Sequence, residues 1–303
     1  MQAAIVTEQG VQLRAVAAPA PKPNEVLVRV RAAALNRADR TVAAGHRHGA
    51  VGGPGTVVGM EFAGEVAAIG SEVQGVKAGD RVMGSGGGAF AEYAVADWGR
   101  VSPLPAAAMG FEQAATLPVA LQTMHDAVVT NGRLAKGEAV LIQGASSGVG
   151  LMAMQIARTM GARLVIGASG NAGRRARLAE FGADLAVDPS EPDWSRHVLA
   201  ATGGRGVELI VDQVSASVAR ENMLATALLG RIVNVGRLGG ARGEFDYDLH
   251  ALRRIAYIGV TFRTRTIEEV REINRRMRAD LWDAVAAGTL LLPIDRSFPL
   301  AQA

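Results

Sequence analysis

The hydrophobic pattern changes character once along the chain. In roughly the first third, short stretches at 26–30 and 62–69 are read as half-buried strands, the former alternating apolar and charged positions. Pro19, Pro21, Pro23, Gly70, the run Lys77-Ala78-Gly79-Asp80 and Gly86 to Gly88 punctuate them as turns. Beyond Pro118, strand-like runs alternate with helical stretches. Strands are predicted at 139–143, 164–167, 207–212, 231–235 and 255–262. Helices are predicted at 149–160, 174–181 and 216–229, the second closed by Gly182. That alternation predicts parallel β-α-β units. Thr266-Ile267-Glu268-Glu269 reads as a capping box, and Ile267, Val270, Ile273, Met277, Leu281 and Val285 keep helical spacing behind it. Residues 290–303 read as extended, and no internal repeat is visible.

A chain of 303 residues accommodates two cores. It has no Cys, which removes disulfides, thiolate catalysis and Cys-based zinc sites. Five His remain; His46 and His48, two apart in a Gly-rich loop, read as solvated side chains rather than ligands. Eight Arg fall between Arg253 and Arg278, but Glu268, Glu269, Glu272 and Asp280 accompany them. Glu272 has helix-pair spacing to Arg275 and Arg276, so this stretch reads as a solvated helix face rather than a nucleic-acid surface. No apolar run reaches the roughly 18 residues of a membrane span, and the N-terminus lacks a signal-peptide layout. The expected setting is cytoplasmic, with no membrane or nucleic-acid partner.

The sharpest local signal is the run from the predicted strand at 139–143 into Gly144-Ala145-Ser146-Ser147-Gly148-Val149-Gly150 and then a helix. Small residues let a pyrophosphate approach the backbone, and a helix N-terminus supplies N–H donors and partial positive charge. Ala145, Ser146, Ser147, Gly148 and Val149 are therefore candidate cofactor-binding residues. The spacing departs from G-x-G-x-x-G, because Ser146 takes the place of the second Gly. NAD sites carry an acid at the end of the following strand, to bind the ribose 2′-hydroxyl. Here that place reads Ile166-Gly167-Ala168-Ser169-Gly170, followed by Arg174 and Arg175. Missing acid, Ser169 and Arg174 suit a 2′-phosphate, although the arginines also suit a solvated helix start. The expected cofactor is NADPH.

A series of motifs runs in register with a known family. It comprises Asn36-Arg37-Ala38-Asp39, Gly59-Met60-Glu61-Phe62-Ala63-Gly64, Gly79-Asp80-Arg81-Val82, Gly88-Ala89-Phe90-Ala91-Glu92-Tyr93, Leu117-Pro118 and the 145–150 turn. Asp212-Gln213-Val214, the Gly230 to Gly236 run, Phe262-Arg263-Thr264-Arg265 and Leu292-Pro293-Ile294-Asp295-Arg296 continue it. Over essentially its whole length the chain resembles the zinc-independent medium-chain dehydrogenases/reductases of the quinone oxidoreductase family. The last two motifs look most like the p53-inducible quinone-reductase branch. The resemblance implies an α/β protein: a Rossmann doubly wound parallel sheet over 118–262, plus a β-rich GroES-like catalytic domain from 1–117 and 263–303. Relatives run on by about a helix and a strand, so this catalytic domain is expected to be C-terminally shortened.

Zinc-dependent relatives use a Cys near position 36 and a His in a G-H-E motif. This chain has Leu35-Asn36-Arg37 and Met60 at those places, so no metal is expected. The resemblance places Asn36 near the nicotinamide ribose and substrate, and Thr123 at the base of the nicotinamide cleft. It places Gly148 and Val149 on the pyrophosphate, Arg174 on the 2′-phosphate, and Asn234, Val235 and Gly236 at the nicotinamide edge. Phe262 and Arg263 match the segment returning to the catalytic domain near the nicotinamide. Asp39 and Glu61 read as a packing pair rather than as catalytic groups. Two departures touch the substrate pocket: Ala44-Gly45-His46-Arg47-His48 lacks the aromatic that many relatives carry, and His125 stands where relatives often have one.

The implied chemistry is hydride transfer from NADPH to a small electrophile. A quinone would take its protons from water; an activated alkene would need protonation at carbon, from solvent or His125. Three functions stay open: a quinone reductase, a reductase of enone, enal or enoyl-thioester double bonds, and a weakly catalytic NADPH-binding sensor. A homodimer is expected through the apolar run 255–262, an edge strand that would pair with its mate.

Overall fold

A computed structural model describes residues 1–49, 51–105 and 109–303; Ala50 and 106–108 lie outside the described residues. The chain forms two compact units, Met1–Val119 with Phe262–Ala303, and Ala120–Thr261. In the first, β1 (Gln2–Thr7) and β2 (Gly10–Ala15) make an antiparallel hairpin. They precede β3 (Glu25–Ala34), α1 (Arg37–Ala43), β4 (Glu61–Ile69), β5 (Arg81–Ser85), β6 (Tyr93–Asp97), β7 (Val101–Pro103) and α2 (Phe111–Ala115). The five longer-range strands form an antiparallel sheet in the order β6-β3-β4-β5-β7. Val26, Val28, Phe62, Val66, Val82, Ala94 and Val101 form one buried cluster on it, the alternation expected of strands with one dry face. In the β3–β4 register Ala34 pairs with Glu61. The chain leaving β3 therefore starts α1 close to the first residue of β4, which is what brings Asn36 and Glu61 together.

The second unit opens in α3 (Pro118–His125), which straddles the boundary. It continues through β8 (Ala139–Gln143), α4 (Gly148–Thr159), β9 (Leu164–Ala168), α5 (Ala172–Arg175), β10 (Leu185–Val187) and α6 (Ser195–Ala201). β11 (Val207–Asp212), α7 (Ala219–Ala225), β12 (Thr226–Asn234), α8 (Tyr247–Arg253) and β13 (Ala256–Gly259) complete it. The six strands are parallel, in the order β10-β9-β8-β11-β12-β13. This is the doubly wound Rossmann arrangement. β8 is fully buried on both faces, as a central parallel strand must be. The strand order reverses between β8 and β11, and ligands of such sheets bind beyond the carboxyl ends at that reversal. The 144–150 turn follows β8 and lies there.

Three predicted elements come out differently. The helix expected over 174–181 is a single α-turn, α5, followed by a 3-10 turn at Leu178–Phe181 that Gly182 closes at φ 95°. The helix expected over 216–229 ends at Ala225, because Thr226 already pairs with Val207 as the start of β12. The β11–β12 register then jumps from Thr226 to Arg231, and Leu229 turns through φ 64°. Gly230 is needed there, since a Cβ would lie 2.5 Å from Thr226 Cγ2. The strand expected over 255–262 is shortened to β13, and Val260 N–H closes onto Asn234 O at 3.1 Å.

The chain returns to the first unit with α9 (Ile267–Ala286). Thr266 and Glu269 form both bonds of the capping box, at 3.2 and 2.8 Å. Part of its Arg-rich face is solvated, with Glu272 pairing Arg275 and Arg276. Arg271 instead grips Asp97 at the end of β6 through two parallel bonds of 2.9 and 2.7 Å, and its guanidinium lies 4.9 Å from the Trp98 ring. This bidentate pair anchors the helix to the sheet more specifically than a rim charge would. Residues 290–299 form no regular element and end in a 3-10 turn at Leu300–Gln302.

Candidate cofactor and catalytic sites

In the second unit the turn after β8 is tight at two positions, Gly144 and Gly150. Gly144 takes φ 69°. A Cβ on Gly150 would lie 2.5 Å from Gly144 O and 2.7 Å from Ala145 Cα, so helix and turn touch backbone to backbone. Ser147 caps α4: its Oγ accepts from Gly150 N–H at 3.1 Å and lies 2.8 Å from Gly144 O and 3.1 Å from Gln213 Oε1. The N–H groups of Gly148 and Val149 belong to the first turn, where no helical carbonyl is available, and Gly148 is exposed. These donors fit a pyrophosphate. Ala145 does something else. It is fully buried and its N–H is taken by Ala168 O at 2.9 Å, so it packs beneath the turn instead of facing a ligand.

At the end of β9, Ser169 Oγ donates to Ser146 Oγ at 2.9 Å, joining the two strand ends. The two arginines beyond differ sharply. Arg174 is exposed and, among the described residues, no carboxylate pairs with it; Asn171 caps its backbone N–H at 2.9 Å. Arg175 is half-buried, 2.7 Å from Asp188 Oδ2, and donates to Ser169 O at 2.8 Å. Arg174 is thus free to meet a 2′-phosphate, while Arg175 is committed. Asp188 is an acid that no local motif announces; it reaches this turn because β10 pairs with β9.

Under the turn lies a buried polar network. Gln213 Nε2 donates to Gln143 O at 3.1 Å, Gln143 Nε2 to Asn222 Oδ1 at 2.8 Å, and Asn222 Nδ2 to Asp212 Oδ2 at 3.1 Å. Asp212 also accepts from Val214 and Ser215 N–H at 2.8 and 2.9 Å; burial raises its pKa despite these bonds. Asn234 at the end of β12 donates to Ser215 Oγ, and Val235 N–H to Asp212 O at 2.7 Å. Gly236 passes so close to Gln213 that a Cβ would sit 2.6 Å from its carbonyl oxygen. Asn234, Val235 and Gly236 are therefore fixed at the same carboxyl-terminal edge of the sheet as the Gly turn. Thr123, on α3, is half-buried.

The first unit holds a second constellation. Asn36, at the N-cap of α1, donates through Nδ2 to Glu61 Oε1 at 2.7 Å. Glu61 Oε2 accepts from Val119 N–H at 2.8 Å, and Asp39 Oδ2 from Asn36 N–H at 2.7 Å. Burial pushes Glu61 up to about 7; its bonds from Val119 and Asn36 oppose this, and the Asp39 charge adds to it. Burial likewise raises Asp39 to about 6, and its Oδ1 has no hydrogen-bond partner. The pair expected to serve packing is thus also the mount of the Asn36 carboxamide. Phe262 is half-buried and Arg263 exposed; Arg263 lies against Gly49, its Cγ 3.4 Å from where a Cβ would sit. Burial and the Arg263 charge both lower the pKa of His48. A guanidinium beside it makes His48 a poor place for a second cation. Asn36, Phe262 and Arg263 thus belong to the first unit, and the Gly turn, Ser169, Arg174, Thr123 and 234–236 to the second.

Comparison with known proteins agrees with this architecture. Residues 22–106 match the alcohol dehydrogenase GroES-like domain, and 148–278 match the family described as zinc-binding dehydrogenase. One component of the phenolphthiocerol/phthiocerol polyketide synthase of Mycobacterium tuberculosis is 35% identical over 217 residues, 72% of this chain but 10% of that protein. The chain thus spans about a tenth of the length of this curated relative. The Pseudomonas syringae pv. tomato quinone oxidoreductase superposes with a TM-score of 0.83 at 27% identity, covering 98% of this chain and 91% of that one. A mycobacterial protein, Rv1454c, solved in complex with NADPH, gives 0.86 at 25% identity, covering 100% and 94%. With its GroES-like and Rossmann units, and with Asn36 and Met60 where zinc-dependent relatives carry ligands, the chain belongs to the medium-chain dehydrogenase/reductase superfamily, in its zinc-independent, quinone-oxidoreductase-like part.

Proposed function

We propose that this oxidoreductase binds NADPH and reduces a quinone. The carrying observation is the exposed, carboxylate-free Arg174 beyond β9, in the same unit as a capped helix with open first-turn N–H groups. NADPH supplies a hydride from C4 of its nicotinamide. The chain's own part is to hold and orient: Gly148 and Val149 N–H on the pyrophosphate, Arg174 and Ser169 at the 2′-phosphate, and Asn234 to Gly236 toward the nicotinamide. In the first unit the Asn36 amide, held by Glu61, is assigned to the substrate, and in the second unit Thr123 is assigned to the nicotinamide; the roles of Phe262 and Arg263 follow from the family resemblance alone. The NADPH complex of the mycobacterial neighbour supports the cofactor assignment.

A quinone is favoured because its reduced oxygens take protons readily from water, whereas an alkene must be protonated at carbon, by solvent or by a placed acid. His125, the histidine considered for that task, is fully buried. The polyketide synthase relatives favour a second reading, reduction of an enoyl-thioester double bond. A screen of NADPH oxidation over quinones, enals and enoyl thioesters separates the two. Turnover with quinones is expected; turnover confined to enoyl thioesters selects the second reading.

We further propose a homodimer through β13, which among the described residues is paired on one side only, by β12. Tyr247, Leu252 and Tyr257 are exposed there at 78%, 70% and 40%. Light scattering at micromolar concentration is expected to give a dimer, and Tyr257→Pro to weaken it by removing a ladder donor. A monomeric wild type contradicts the proposal.

A further inference from the structure

The parallel pairing of β10 with β9 sets Val187 opposite Ala168, and Ser169 N–H donates to Val187 O at 3.1 Å. Asp188 therefore stands beside the Ser169–Gly170 turn: a Cβ on Gly170 would lie 4.0 Å from Asp188 Oδ1. A carboxylate at the ribose end of a Rossmann site is the feature that selects NAD, by accepting from the 2′-hydroxyl and repelling a 2′-phosphate. This chain brings a carboxylate to the Ser169–Gly170 turn from the third strand of the unit's fold instead of the second. Ser190 N–H and Oγ donate to its Oδ1 at 3.0 and 2.5 Å, and Arg175 sits 2.7 Å from its Oδ2. The Ser190 bonds and then Arg175 hold its pKa below the usual carboxylate range, so it is charged at neutral pH. Arg175 also binds Ser169 O at 2.8 Å, which fixes the guanidinium between the turn and the acid.

We propose that Arg175 masks Asp188 and is thereby a specificity-determining residue, an inference that rests on the NADPH reading above. With the mask in place the acid's charge is cancelled, and the exposed Arg174 sets the sign of the field that meets the 2′-phosphate. With the mask gone, Asp188 becomes an uncovered carboxylate that repels a 2′-phosphate and accepts from a 2′-hydroxyl. A purely structural role of Arg175, holding the turn by the Ser169 carbonyl, would weaken both cofactors alike.

The experiment is a titration of NADPH and of NADH, followed by nicotinamide fluorescence. It uses the wild type, Arg175→Ala, Arg175→Lys and the double variant Arg175→Ala/Asp188→Asn. Arg175→Ala is expected to weaken NADPH about tenfold or more while strengthening NADH. NADH binding also reports that the variant is folded. Arg175→Lys, which keeps the charge, should retain most of the NADPH preference. The double variant should recover NADPH affinity and lose the gain for NADH. Equal weakening of both cofactors by Arg175→Ala, or a double variant no different from the single one, overturns the mask. A wild type that binds NADH as tightly as NADPH sinks the functional reading itself. A wild-type preference that Arg175→Ala leaves unchanged sinks only the mask.

Discussion

The Glu61→Gln variant is expected to lose much less stability than the wild type as pH rises from 4.5 through 7. Glu61 titrates near 4.5 when unfolded and at about 7 in the fold, because burial penalises its charged form. In that window the folded state binds the extra proton, so unfolding free energy falls as pH rises. The contribution is fully present below 4.5 and lost as pH passes through about 7. At roughly 1.4 kcal/mol per pKa unit, Glu61 by itself removes about 3 kcal/mol of wild-type stability across it. Asp39, raised in the same direction, adds a smaller slope that the variant keeps. Glutamine cannot accept from both Asn36 Nδ2 and Val119 N–H with the same geometry, which costs ~1–3 kcal/mol at every pH. The absolute stability therefore drops while the slope flattens. Urea midpoints measured across the window decide it: parallel curves for the two proteins would show that Glu61 is already ionised in the fold.

Arg174→Ala should weaken NADPH binding about tenfold or more and leave NADH nearly untouched, since an alanine removes a charge-assisted contact that only the 2′-phosphate makes. Isothermal titration with both cofactors measures it. An equal loss for NADH would mean that Arg174 acts on the shared part of the cofactor or on the fold.

What the sequence made legible was local. Residues 139–143 and the turn to Gly150 stand where their pattern places them, because β8 is buried on both faces and its glycines answer to close backbone approach. The capping box at Thr266 formed for the same reason, its partners being three residues apart. Residues 226–229 misled the helical reading: their apolar spacing suits a helix, but pairing with Val207, far away in sequence, draws Thr226 into the sheet. The place of Asp188 beside Ser169 was invisible for a similar reason. Asp188 lies well beyond the place where a ribose-binding acid is sought, and only the β9–β10 register brings it to Ser169. The Asn36–Glu61 bond depends equally on strand register, here between Ala34 and Glu61, so the sequence marked both residues without marking the bond.

Hydride transfer from NADPH to a small electrophile is tested most directly by mixing the preformed NADPH complex with a quinone in a single turnover. The cofactor carries hydrogen or deuterium at the transferring position of nicotinamide C4. The expected result is loss of the reduced-nicotinamide absorbance in step with quinone reduction, slower with deuterium because that bond breaks in the chemical step. NADPH that binds tightly but is never oxidised by any quinone, enal or enoyl thioester would contradict it.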